Sequence, residues 1–280
     1  MLINVLIALA VVVAIGLFFG ILLALFLHLF GVDEDEKTKQ IRDALPGVNC
    51  GSCGFKGCND YAEALAKGTA APNLCTPGAD VVAKKLGEIL GVEVEKTSAL
   101  VAFVHCNGTC DAAVEKAVVE GIVSCKAKAM TYGGQKLCNY GCLGCGDCAK
   151  VCTSNAIAVI DGVARVDEGL CAGCGLCAKE CPKKIISLIP KESAVAVYCG
   201  SKDKGADSRK ACKNACIGCK KCEKVCPEQA IEVVNNCAVI DYEKCTGCGL
   251  CTEGCPTGAV SKIRLSCVTC PSESRKNTYA

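Results

Sequence analysis

The chain has 280 residues and a formal net charge of +2, with no basic stripe interleaved with aromatic residues, so nucleic-acid binding is excluded. Its 29 cysteines stand beside only 6 Phe, 6 Tyr and no Trp, which excludes a large aromatic core. That cysteine density belongs to a disulfide scaffold or a metal protein, and a tight spacing repeated four times favours the metal protein.

Residues 1–32 hold no formally charged side chain, with His28 neutral, and Leu2 to Phe30 is almost wholly Leu, Ile, Val, Ala and Phe. The run exceeds what a bilayer core requires and lacks the basic start of a secretory signal, so it predicts a single membrane anchor. Gly16 and Gly20 form a G-x3-G pair suited to a partner helix. The flank DEDEKTKQIR mixes both signs and orients the anchor weakly. Oxidation-sensitive thiolates favour a cytoplasmic location for the remainder.

Cys50, Cys53, Cys58 and Cys75 follow as C-x2-C-x4-C-x16-C, in PGVNCGSCGFKGC and NLCTPG. Four thiolates at this spacing suit zinc or a [4Fe-4S] cluster, and the motifs downstream favour the cluster. YAEALAK reads as a helix capped by Asn59 or Asp60 and ended by Gly68, and Val81 to Leu90 as an amphipathic helix.

The strongest pattern begins at Cys142. Cys142, Cys145, Cys148 and Cys152 have the spacing C-x2-C-x2-C-x3-C, repeated at Cys171, Cys174, Cys177 and Cys181. The whole pair returns 74 residues later as Cys216, Cys219, Cys222 and Cys226, then Cys245, Cys248, Cys251 and Cys255. Cys125 and Cys138 map to Cys199 and Cys212 by the same offset, so the chain carries an internal duplication. NAIAVIDGVARVDEGLC and QAIEVVNNCAVIDYEKC predict short β-hairpins turning at Asp-Gly and Asn-Asn. Short helices are expected just after Cys148 and Cys177.

This motif resembles the two-cluster bacterial ferredoxins, in which the fourth cysteine crosses to the other cluster. The resemblance implies four [4Fe-4S] sites. Cys142, Cys145 and Cys148 go with Cys181, and Cys171, Cys174 and Cys177 with Cys152. In the second unit Cys216, Cys219 and Cys222 go with Cys255, and Cys245, Cys248 and Cys251 with Cys226. Pro182, Pro227 and Pro256 follow three of the crossing cysteines, whereas Thr153 follows the other.

Of the remaining cysteines, Cys106, Cys110, Cys125 and Cys138 form one candidate four-thiolate set, with Cys138 serving the adjacent ferredoxin unit as the rival reading. Cys199, Cys212, Cys267 and Cys270 form a second candidate set. The alternative for both is plain packing, and Cys237 inside a hairpin is read as packing. The count is thus at least five clusters and at most seven. His105 is read as structural rather than as a ligand.

No G-x-G-x-x-G fingerprint or P-loop is present, so the chain by itself carries electrons only. The whole arrangement resembles the B subunit of the Rnf electron transport complex: the anchor, PGVNCGSCGFKGC, HCNGTC and YGCLGCGDC all match. The second ferredoxin unit departs from short forms and resembles long, multi-cluster ones. In that family the position of Cys145 is not always cysteine, which brings Cys138 into consideration there.

The resemblance implies a subunit of an ion-translocating ferredoxin:NAD⁺ oxidoreductase in a bacterial or archaeal cell membrane. It would take electrons from soluble ferredoxin at the cytoplasmic face and pass them to the other subunits of a membrane redox complex. The alternatives are an iron–sulfur subunit of a hydrogenase or formate-type dehydrogenase, and a structural zinc-thiolate module.

The expected fold class is α+β, with an N-terminal transmembrane helix, a small four-cysteine iron–sulfur module and duplicated two-cluster bacterial ferredoxin-like units. The expected divisions are the anchor at 1–32, the four-cysteine module at 33–98 and a cysteine-containing linker at 99–138. Ferredoxin-like unit 1 follows at 139–190, a duplicated linker at 191–212, unit 2 at 213–263 and a tail with C-x2-C at 264–280.

Overall fold

The computed structural model describes residues 2–30, 35–94, 99–119 and 121–263. Cys267 and Cys270, expected as ligands, lie outside the described residues.

Helix α1 (Leu2–Phe30) is one continuous helix. Its window Leu9–Phe26 has a mean hydropathy of 3.0, and none of that window is buried by the rest of the chain. A helix this apolar all round needs a nonpolar surrounding, and its length and composition suffice to cross a bilayer. Gly16 and Gly20, one turn apart, leave open space on one face.

Three helices build the next unit: α2 (Glu36–Ala44), α3 (Cys58–Ala66) and α4 (Ala79–Leu90). Ile41, Tyr61, Leu65 and Leu86 fill its centre, with Cys53, Cys58 and Cys75 against them. The residues expected to cap α3, Asn59 and Asp60, lie inside it. The cap comes from Asn49, whose Oδ1 accepts the Cys58 N–H at 2.8 Å. The amphipathic helix expected from Val81 starts at Ala79 and ends at Gly91, whose φ of 70° is a left-handed helix stop.

The duplicated part follows. Strand β1 (Leu100–Val104) precedes α5 (Cys125–Met130) and α6 (Asp147–Lys150). Then come β2 (Ile157–Ile160), β3 (Val163–Val166), α7 (Leu176–Glu180) and β4 (Ile186–Pro190). The second unit runs β5 (Val195–Val197), α8 (Gly205–Ala211), α9 (Lys221–Lys224) and β6 (Ile231–Val234). It ends with β7 (Cys237–Ile240), α10 (Leu250–Glu253) and β8 (Val260–Lys262).

Both expected hairpins form: β2 pairs antiparallel with β3, and β6 with β7. Asp161 and Gly162 have φ of 49° and 73°, and Asn235 and Asn236 have 49° and 65°. Positive φ at both turn residues matches the twist of a tight two-residue hairpin. The short helices start slightly earlier than expected, so that Cys148 and Cys177 lie within their first turns.

Each unit is closed by a second antiparallel pair, β1 with β4 and β5 with β8. The sequence had placed β1 and β5 in linkers. They belong to the units because Val101, Phe103 and Ala196 bury their apolar faces together with Ile189. Phe103 and Tyr198 meet edge to face at 4.8 Å, joining the two units through their outer strands.

Candidate metal centres

In the first module, Gly51 and Gly54 take φ of 64° and 88°, which lets the loop between Cys50 and Cys58 fold back on itself. Ser52 Oγ and Thr76 Oγ1, 3.0 Å apart, tie that loop to the one carrying Cys75. Tyr61 donates its hydroxyl to the Ala71 carbonyl at 2.6 Å and accepts the Leu74 N–H at 3.3 Å. These contacts bring the four thiols together. Burial raises the pKa of Cys75, and the thiols of Cys58, Cys50 and Cys53 add to the effect.

In the first ferredoxin-like unit, Cys177 is pushed up to about 12 by burial and then by Cys171, Cys174 and Cys152. The crossing cysteine Cys152 thus stands with the other motif, and Ala156 N–H donates to its Sγ at 3.3 Å. In the second unit, Cys251 is raised to about 11 by burial and then by Cys245, Cys226 and Cys248. Cys222 is raised to about 11 by burial and then by Cys216, Cys255 and Cys219. Ala230 N–H reaches Cys226 Sγ at 3.3 Å, in the position of Ala156 in the first unit.

The remaining set holds five cysteines rather than four. Cys148 is pushed up to about 12 by burial, then by Cys142, Cys125 and Cys181. Cys145 is raised to about 11 by burial, then by Cys125, whose thiol shares a hydrogen bond with it. Cys125, Cys142, Cys148 and Cys181 line one cavity with Val104, and α5 carries Cys125 into it.

Thiols crowded in this way resist ionising together unless a cationic centre compensates them, which is the chemistry of a metal-thiolate site. Among the described residues, no three Cys, His, Asp or Glu side chains converge on the position of a single ion. Backbone N–H groups aimed at sulfur fix the thiolates and tune a cluster held by them. Ala164 donates to Cys142 at 3.5 Å, Ala102 to Cys171 at 3.4 Å and Val260 to Cys255 at 3.5 Å.

The other cysteines group differently from the sequence expectation. Cys106 and Cys138 share a cavity with Cys199 and Cys212. Cys110 is instead exposed, beside the Asp161–Gly162 turn, and Cys125 has joined the neighbouring site. The turn and the α5 helix, both invisible in a linear spacing, cause this separation.

Cys237 is more than packing. Its thiol donates to the Cys199 carbonyl at 3.2 Å and stands beside the thiols of Cys199 and Cys216, whose pKa values are lowered while its own is raised. The signal for it is the single cysteine in a hairpin whose counterpart in the first unit carries Val163. His105 uses both ring nitrogens, Nδ1 on the Val197 carbonyl at 2.8 Å and Nε2 on Ser187 Oγ at 2.7 Å, and burial lowers its pKa. Its role is to join the units.

Residues 45–77 match a family described as a putative Fe-S cluster. Residues 141–185 and 215–259 each match a 4Fe-4S dicluster domain, and a second family of that description spans 170–230. The chain is 42% identical over 264 residues to the B subunit of the Na(+)-translocating ferredoxin:NAD(+) oxidoreductase complex of Acetobacterium woodii, covering 94% of this chain and 77% of that one. It is 45% identical over 240 residues to the B subunit of the Proton-translocating ferredoxin:NAD(+) oxidoreductase complex of Clostridium ljungdahlii, covering 85% and 84%.

The chain belongs to the family of Rnf complex B subunits.

A further relative, the B subunit of the Ion-translocating oxidoreductase complex of Methanosarcina acetivorans, is 39% identical over 238 residues, covering 85% of this chain and 90% of that one. As a member of this Rnf family, the chain combines one apolar helix with several domains of the 4Fe-4S type.

Proposed function

We propose that this chain receives electrons from reduced soluble ferredoxin at the cytoplasmic side of a cell membrane and passes them to membrane-embedded partner subunits. It is a multi-cluster electron-transfer subunit of an Rnf-type ion-translocating ferredoxin:NAD⁺ oxidoreductase. The observation that carries the reading is the gathering of four-cysteine groups by two units of the same design, beside a helix that the rest of the fold leaves bare.

In this reading Cys50, Cys53, Cys58 and Cys75 hold one [4Fe-4S] cluster, and the two ferredoxin-like units hold four more. The ligands of those four are Cys152 with Cys171, Cys174 and Cys177; Cys226 with Cys245, Cys248 and Cys251; Cys216, Cys219 and Cys222 with Cys255; and Cys142, Cys148 and Cys181 with Cys145 or Cys125. Bound clusters supply one-electron carriage. The chain's own residues hold the thiolates, aim N–H groups at sulfur and exclude water. Hydride chemistry and ion movement belong to other subunits.

The full chain, purified anaerobically in detergent, is mixed with reduced ferredoxin and followed by electron paramagnetic resonance. Growth of reduced-cluster signals is the expected result. Zinc in place of iron, with little acid-labile sulfide, would sink the reading.

A further inference from the structure

The cavity shared by Cys106, Cys138, Cys199 and Cys212 is built half from each ferredoxin-like unit. Cys106 lies two residues after β1 and Cys199 two residues after β5. Cys138 lies four residues before Cys142, and Cys212 four before Cys216. The sequence repeat of 74 residues pairs Cys199 with Cys125, yet the topology pairs it with Cys106. A longer insertion between β1 and Cys142 hides that equivalence in the linear sequence.

The local hydrogen bonds obey the same two-fold relation. Gly108 N–H donates to Cys106 Sγ at 3.4 Å, and Ser201 N–H to Cys199 Sγ at 3.5 Å. Cys142 N–H donates to Cys106 Sγ at 3.3 Å, and Cys216 N–H to the thiol of Cys199. Tyr140 N–H serves Cys138, and Asn214 N–H serves Cys212. Four sulfurs, each approached by backbone N–H groups, are arranged as thiolate acceptors.

The cavity suits a cluster in size and charge. With its open mouth it measures about 360 Å³, the same as the cavity lined by Cys226, Cys245, Cys248 and Cys251 in the second unit. Lys136 lines it and is 2% exposed, with Nζ donating to the carbonyls of Gly108 and Gly162. A buried ammonium is costly without a nearby negative charge, which a thiolate-ligated cluster supplies.

Structural packing is the competing account, since small thiols are often buried. Packing requires neither matched N–H donors on both halves nor a buried ammonium beside the four sulfurs.

We propose that Cys106, Cys138, Cys199 and Cys212 hold a further [4Fe-4S] cluster, which bridges the two ferredoxin-like units and carries electrons between them. The inference rests on the electron-relay reading for its role but not for its ligands. Cys142 belongs to a cluster site of the first unit, and its own N–H touches Cys106; Cys216 belongs to one of the second unit, and its N–H touches Cys199. Each hydrogen bond therefore leads from a flanking ligand straight to a bridge ligand.

At the far side of the first unit, Lys179 of α7 donates to the carbonyl of Gly51, the residue after Cys50, at 3.4 Å, which sets the four-cysteine module beside the Cys174 site. The sites then follow in a single line: the module, the Cys174 site, the Cys142 site, the bridge, the Cys216 site and the Cys245 site. Each transfer along the line oxidises one site by one electron and reduces the next by one. Reduced ferredoxin is the source. No bond forms or breaks.

The test uses the full chain, prepared anaerobically in detergent, with iron and sulfide measured per polypeptide. Cys138→Ala and Cys212→Ala, one in each unit, are each expected to lose about four irons and four sulfides and the same paramagnetic signal. The double variant is expected to lose no more than either single variant. Cys110→Ala is expected to lose none. Loss of different signals in the two variants, additive losses or no loss at all would overturn the bridge.

Should the variants fail to fold, the unaltered chain still decides. About 24 irons or more support the bridge, and about 20 or fewer overturn it. Failure of ferredoxin to reduce the unaltered chain would count against the relay alone, because iron content tests the ligands independently.

Discussion

Lys136 Nζ donates to the carbonyl oxygen of Gly162 at 2.9 Å, fastening the segment that enters the first ferredoxin-like unit to the tip of that unit's hairpin. The same ammonium reaches the Gly108 carbonyl at 2.7 Å, just beyond Cys106. One buried cation thus holds three segments around the proposed bridge.

Replacing it tests both roles. Lys136→Met removes a positive charge beside the cluster and strands two carbonyls. The bridging centre is expected to become harder to reduce, because a nearby cation favours the more negative state. The chain should also lose stability, with a desolvation penalty of about 1–3 kcal/mol for each unsatisfied carbonyl. A redox titration followed by paramagnetic resonance reads the first effect, and a denaturant midpoint reads the second. A lower midpoint at an unchanged potential would leave Lys136 a fastener only.

The five-cysteine site makes a different forecast. Cys125 and Cys145 share a hydrogen bond at the edge of the set formed by Cys142, Cys148 and Cys181. Either one is placed to complete a four-thiolate group. Cys145→Ala and Cys125→Ala are therefore each expected to keep their iron, whereas the double variant loses about four irons. Loss of that iron on Cys145→Ala alone would show that Cys125 cannot substitute.

Tyr61, 1% exposed, offers a stability test in the first module. Its hydroxyl bridges Ala71 and Leu74 ahead of Cys75, and burial raises its pKa to about 12, so it stays protonated and able to donate. Tyr61→Phe keeps the ring against Phe55 but frees a carbonyl and an N–H near a ligand. A cost of about 1–3 kcal/mol is expected, with faster iron release from this module than from the ferredoxin-like units. Equal release rates would mean that Ser52 and Thr76 suffice to hold the loop.

Legibility divided along a physical line. The hairpins, the anchor and the repeated cysteine motifs were readable because each depends on neighbours close in sequence or on a repeated spacing: Asp161 and Gly162 set a turn, and Cys152 follows Cys148 at a fixed interval. The Cys106–Cys138–Cys199–Cys212 group was not readable. It depends on β1 and β5 entering their units at the same place, and 37 residues separate Val104 from Cys142 where only 18 separate Val197 from Cys216. Cys125 was misgrouped for a related reason, since nothing in its own segment shows that α5 delivers it to Cys145. The cap on α3 came from Asn49, nine residues upstream, where spacing rules for helix starts do not look.

Two glycines in one motif separate strain from crowding. Gly173 and Gly175 flank Cys174 with φ of 65° and 73°, so a side chain at either is strained in the left-handed region by roughly 1–2 kcal/mol. Their surroundings differ. A Cβ on Gly175 would meet only the Leu188 side chain at 3.6 Å, an ordinary contact. A Cβ on Gly173 would collide with the backbone carbonyl of Leu100, the residue that opens β1 opposite Pro190. Gly173 also donates its N–H to Cys171 Sγ at 3.5 Å, so the loop cannot retreat without moving a ligand. Gly173→Ala is expected to destabilise the chain more than Gly175→Ala and to speed iron loss from the Cys152, Cys171, Cys174 and Cys177 site. Gly175→Ala should show the strain alone, as a lower denaturant midpoint with iron release little changed. Equal behaviour of the two variants would mean that the contact between the cysteine loop and β1 yields readily, and that the closing strand is not what holds this loop around its site.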